Sequence, residues 1–148
     1  MSTTSQTEWG KVEKMEIVPP VQFVKNKADI FNGHFPQGQM RCIVKEDVNT
    51  SESDPFDLFT ENNEVYVQGY DRVVHLILEV PVLNNYRIHL IKVSYKLSEL
   101  YPCKLDNCVA NEERRCETME KFESTLNAML VSESISKTLS ILRAQIPD

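Results

Sequence analysis

Three histidines, His34, His75 and His89, and four cysteines, Cys42, Cys103, Cys108 and Cys116, are the side chains of this sequence best suited to catalysis or metal binding. Imidazole titrates near neutrality, so each histidine is a candidate base, acid or ligand. His75 and His89 lie in two β-rich runs on either side of Asn84-Asn85, within VVHLILEVPVLNNYRIHLIKVSY. A turn centred on the two asparagines pairs His75 with Ser94 and His89 with Val80. That register puts the rings on opposite faces and about five residues apart, roughly 16 Å at strand rise, too far to share an ion. The cysteine spacing suits zinc poorly, because structural zinc takes close pairs; Cys103 and Cys108 are the two that a small disulfide would join. Asp47, Asn49 and Ser51 begin like a calcium loop, but Glu52 stands where glycine is needed and Leu58 where a bidentate glutamate belongs. The sequence contains no phosphate-binding glycine loop, no G-x-S-x-G and no H-E-x-x-H. No metal and no cofactor are expected.

The elements that position these groups follow from periodicity and punctuation. Residues 1–18 read as a loose polar arm, and residues 19–148 as one domain without internal repeats. Pro19-Pro20 starts a helix with Val21, Val24, Ala28 and Phe31 on one stripe. Asn32-Gly33 is expected to stop it, leaving His34 in the following turn. Residues 40–45 and 64–68 alternate as short strands. In the hairpin, Leu76 faces Val93 and Leu78 faces Ile91. This gathers Val74, Leu76, Leu78, Ile91, Val93 and Tyr95 on a buried face and leaves Ile77, Ile88 and Leu90 on the other. Residues 101–105 and 115–118 read as further strands. Thr118 caps a helix bearing Met119, Phe122, Leu126, Met129 and Leu130, and Ser132 or Ser134 begins a last one bearing Ile135, Leu139, Leu142 and Ile146. The predicted class is α+β: a mainly antiparallel sheet of about four to six strands with one N-terminal and two C-terminal helices.

A chain of 148 residues with 41% hydrophobic and 26% charged residues is long enough to bury its own core. It has no apolar run of transmembrane length and no secretory leader pattern near Met1, so a cytoplasmic protein is expected. The net charge of −6 disfavours nucleic acid and favours a basic protein partner. From Glu46 to Glu64 there are seven acids and no base. Within that stretch DPFDLFTENNE places Phe56 and Phe59 among Asp54, Asp57 and Glu61, a candidate partner-binding segment.

Gly33-His34-Phe35-Pro36 resembles the histidine motif of the β-hydroxyacyl-(acyl carrier protein) dehydratases. In that family the motif leads through a second Pro-Gly into an apolar helix that carries a catalytic acid. Here Gln37-Gly38-Gln39-Met40 replaces the Pro-Gly, and Val48 falls where the acid would, beside Glu46 and Asp47. The match is read as coincidental and His34 as a turn residue. More broadly, Leu83-Asn84-Asn85-Tyr86, Leu100-Tyr101-Pro102 and the C-terminal helix pair resemble small bacterial α+β proteins to which no activity attaches. The favoured expectation is a non-enzymatic interaction domain of the immunity, antitoxin or accessory kind. A homodimer through the hairpin's outer face fits that expectation. The alternative is a small enzyme or ligand-binding domain built from scattered groups, with His34, Tyr86 and His89 as its first ligand candidates and Glu46 and Asp47 as carboxylates.

Overall fold

Pro19 and Pro20 open α1 (Pro20–His34), where missing N–H groups cost nothing because the first turn has no intrahelical acceptors for them. The computed structural model describes residues 9–36, 38–48 and 69–147. After α1 come β1 (Arg41–Val48), β2 (Arg72–Val80), β3 (Tyr86–Tyr95), β4 (Cys103–Asn107) and β5 (Glu112–Cys116). Two helices follow, α2 (Met119–Leu130) and α3 (Glu133–Ala144). The strands form one antiparallel meander in sequence order. The predicted α+β class is therefore the observed one. The strand expected at 64–68 and the whole DPFDLFTENNE segment, with Asp54, Phe56, Asp57, Phe59 and Glu61, lie outside the described residues.

The predicted stop at Asn32-Gly33 does not occur. Neither residue takes a positive φ, and α1 continues to His34. The helix ends instead at Phe35, whose extended backbone is what a following proline, Pro36, imposes. His34 thus belongs to the last helical turn and is exposed. Asn32 is used differently, as a stand-in for a strand. Its Nδ2 donates to the Cys42 carbonyl at 3.0 Å, and its Oδ1 accepts from the Cys42 N–H at 2.8 Å. Asn32→Ala is expected to cost about 1–3 kcal/mol, because it leaves two backbone groups of a buried residue unmet. A urea melt showing a loss below about 0.5 kcal/mol would mean that water replaces the amide freely.

The hairpin turns through five residues rather than two. Pro81–Leu83 make a short 3-10 turn, and Asn84 and Asn85 both adopt left-handed backbone, with φ of 62° and 58°. Asparagine tolerates that region better than other non-glycine residues do. Val80 consequently pairs with Tyr86, and Leu78 with Ile88. A register shift between Leu76 and Ile77 then leaves Leu90 without a partner on β2, and Leu76 pairs with Ile91. This is a β-bulge, two residues on β3 opposing one position on β2. Its cause is visible in the core: Leu90 and Ile91 are consecutive, yet both are buried in the same hydrophobic cluster.

The predicted buried face is correct. Val74, Leu76, Leu78, Ile91, Val93 and Tyr95 all belong to the core. Leu90 and Ile88 were expected on the opposite face; the bulge instead turns Leu90 into the core and Ile88 against it. Helices cover this side. Phe122 of α2 packs edge-on against Phe23 of α1, with centroids 5.8 Å apart, and lies 6.0 Å from Tyr101. Thr118 caps α2 as expected, its Oγ1 accepting from the Lys121 N–H at 3.1 Å.

Candidate functional site

The bulge decides the chemistry of the outer sheet face. Beyond it, side-chain alternation along β3 is shifted by one residue, so His89 points away from the helices, as His75 does on β2. His89 pairs with Ile77 and His75 with Lys92, which makes the two histidines diagonal neighbours. Their Nδ1 atoms are 3.3 Å apart, and the rings stand at 88°. The expectation of opposite faces and roughly 16 Å is overturned, because it assumed a two-residue turn and a ladder without a bulge.

Asp47 of β1 lies on the far side of His75, with Oδ2 3.5 Å from Nε2. That distance is within ion-pair reach and too long for a good hydrogen bond, and Oδ2 has no hydrogen-bond partner. Lys45 and Lys92 flank His75 in the same cross-strand row. Burial is the main cause that pulls the His75 pKa down to about 4; the neighbouring His89 and the two lysines act in the same direction, and Asp47 opposes them. His75 is therefore neutral at pH 7. Beyond the row of Ile77 and His89, Glu79, 2% exposed, bridges β1 and β3. It accepts from Arg87 Nε at 2.6 Å and from Arg41 Nε at 2.7 Å, with Arg41 Nη2 also in contact. The hydrogen bonds from Arg87 and then Arg41 hold its carboxyl below the usual range.

The helix side offers a different surface. A groove of about 510 Å³ lies between α1, the strands and the C-terminal helices, with Leu76 and Leu90 at its floor. Phe31, Leu130 and Ile135 wall it, and His34, Lys27 and Asn127 are its polar members. Ile30 and Val131, also in its lining, are 57% and 77% exposed. Tyr86 lines a second cleft of about 550 Å³ with Ile88, Ile141 of α3 and Gln145 just past that helix. The three ligand candidates are thus not brought together. His34 and Tyr86 serve separate clefts, and His89 lies on the opposite side of the sheet. Glu46 pairs with Lys25 at 3.4 Å and Asp47 serves His75, so neither carboxylate is joined to His34.

The cysteines also sort differently from expectation. Cys103 and Cys108 stand at opposite ends of β4, whereas Cys103 is the direct cross-strand partner of Cys116, and both are fully buried. A hydrogen bond with Cys103 draws the Cys116 thiol down to about 7 and pushes Cys103 up. No primary signal revealed the histidine pair or the groove. Consecutive apolar residues at Leu90-Ile91 were the one cue to the bulge. Among the described residues no helix is long and apolar enough to cross a membrane. Comparison with known protein families, curated proteins and solved structures finds no match, so the geometry alone carries the functional argument.

Proposed function

We propose that this chain is a non-catalytic binding domain whose groove takes an apolar helical segment of a basic protein partner. The observation that carries the reading is the exposure of Ile30 and Val131 beside a groove floored by Leu76 and Leu90. Contiguous apolar surface of this kind on a soluble domain marks an interaction site, and helices dock in such grooves through their apolar stripes. The net charge of −6 steers a basic partner toward the chain. Binding is favoured over catalysis by the groove's own chemistry. Burial pushes the Cys42 thiol up to about 12, so it is no nucleophile at neutral pH.

A second reading rests on the polar members of the same groove. Its volume suits a small molecule, and Lys27, His34 and Asn127 would meet the polar end of an apolar ligand.

Ile30→Glu and Val131→Glu separate these outcomes, because both positions are exposed and the fold tolerates them. In a lysate pull-down the wild-type chain is expected to retain a stoichiometric basic protein, and each variant to bind it at least about tenfold more weakly. Far-UV circular dichroism should not change. A partner held equally by the variants, or a chain recovered bare, overturns the reading. Native mass spectrometry of the purified chain tests the alternative: a bound small molecule replaces the protein partner with the second reading, and a second copy of the chain replaces it with self-association.

A further inference from the structure

We propose that His75 and His89 form a two-imidazole site for a divalent first-row transition-metal ion, on the outer face of the sheet away from the groove. The facing Nδ1 atoms are 3.3 Å apart. Two nitrogens each about 2.0–2.1 Å from one tetrahedral ion lie about 3.3–3.4 Å from each other. The separation thus equals the edge of a coordination tetrahedron, and without an ion the same two nitrogens stand within reach of a direct N–H···N hydrogen bond.

The arrangement around His75 supplies an independent observation. For Nδ1 to act as a ligand, the ring proton must sit on Nε2. Asp47 Oδ2 stands 3.5 Å from Nε2, and it is a buried oxygen with no hydrogen-bond partner. A small approach of this carboxylate on metal binding would let it accept the Nε2 proton, the arrangement that fixes the tautomer of a ligating histidine. His89 is exposed, which gives the ion a route in from solvent.

Other groups on the face limit the affinity. Lys45 and Lys92 flank His75 and oppose a dication, while Asp47 offsets one of them. Asp106 pairs across the sheet with Lys92 and faces that ammonium rather than the two imidazoles. Among the described residues no group of three or more ligating side chains forms. Two imidazoles are thus the donors that the described residues supply. Imidazole donors fit Zn²⁺ or Cu²⁺ rather than Mg²⁺ or Ca²⁺, which take oxygen ligands.

The test is calorimetric titration of the EDTA-treated full chain with ZnCl₂ and then CuCl₂ at pH 7.5, against His89→Ala, Asp47→Ala and His34→Ala. Saturable binding of one ion per chain is expected. His89→Ala should abolish it and His34→Ala should leave it unchanged. Asp47→Ala is expected to weaken it about 10- to 100-fold. His89 is exposed, so its loss leaves the fold intact, which circular dichroism checks. Absence of saturable binding, or binding that His89→Ala leaves unchanged, overturns the site. Full affinity in Asp47→Ala overturns the orienting role given to that carboxylate.

Discussion

Replacing Phe122 with alanine is expected to cost about 3–5 kcal/mol, among the largest losses available to a single substitution in this chain. Phe122 is fully buried at the junction of three elements. It meets Phe23 of α1 edge-on and Tyr101 just before β4, and it lies on the buried stripe of α2. Removing the ring opens a cavity that two helices and a sheet cannot jointly close. A domain of ordinary stability, about 5–15 kcal/mol, would lose a fifth or more of it. With a urea slope of about 1–3 kcal/mol per molar, the midpoint should fall by roughly 1–5 M at unchanged slope. A loss below about 1 kcal/mol would show that the helices slide together and that the aromatic contacts hold nothing in place.

Acid should destabilise the folded chain through His75 before it acts on the carboxylates. Its folded pKa of about 4 lies below the ordinary 6.5, chiefly because burial penalises the charged ring. For a depressed pKa, the unfolded state takes up its proton first as pH falls. The contribution is complete above about pH 6.5 and is lost progressively toward pH 4. Between pH 7 and pH 5 the loss is about 2 kcal/mol. Glu79, held low by Arg87 and Arg41, acts in the same direction but only below its ordinary value of 4.5. Asp106, whose carboxyl is raised by burial, acts in the opposite direction as pH falls through its raised value toward 3.8. Cys116, drawn down to about 7, adds a smaller loss in the same direction as His75, so the His75→Asn comparison is what assigns the decline to the histidine. Urea melts of the wild-type chain at pH 7, 6 and 5 should show the decline, and His75→Asn should flatten it. An equal decline in that variant would assign the acid sensitivity to other groups.

Much of this architecture is legible in the sequence because it rests on local rules. Pro19-Pro20 starts α1, Thr118 caps α2, and alternating apolar residues from Val74 to Leu78 and from Ile91 to Tyr95 mark one buried face. The outer face is not legible in the same way. Whether Leu90 and Ile91 share one side of the sheet depends on the space that α1 and α3 leave over β3, and that space exists only in the folded molecule. One extra residue there moves His89 from one face to the other, so a site that depends on it stays hidden from any uniform register. The groove is hidden for a related reason. Ile30 lies off the apolar stripe of α1 and Val131 follows the last residue of α2, so periodicity leaves both outside the core without showing that a groove opens beside them.

The amide of Asn32 has a consequence for how the molecule keeps company. Among the described residues β1 and β5 are the two margins of the sheet, and a bare margin is a template on which a foreign strand can lengthen the array. On β1 the outward N–H and C=O of Cys42 are already occupied by Asn32, in the place where an incoming strand would attach. On β5 the exposed run Glu112, Glu113, Arg114 and Arg115 keeps the other margin hydrated. Strand addition is thereby opposed at Cys42 and along β5, which disfavours fibrillar stacking through those two positions.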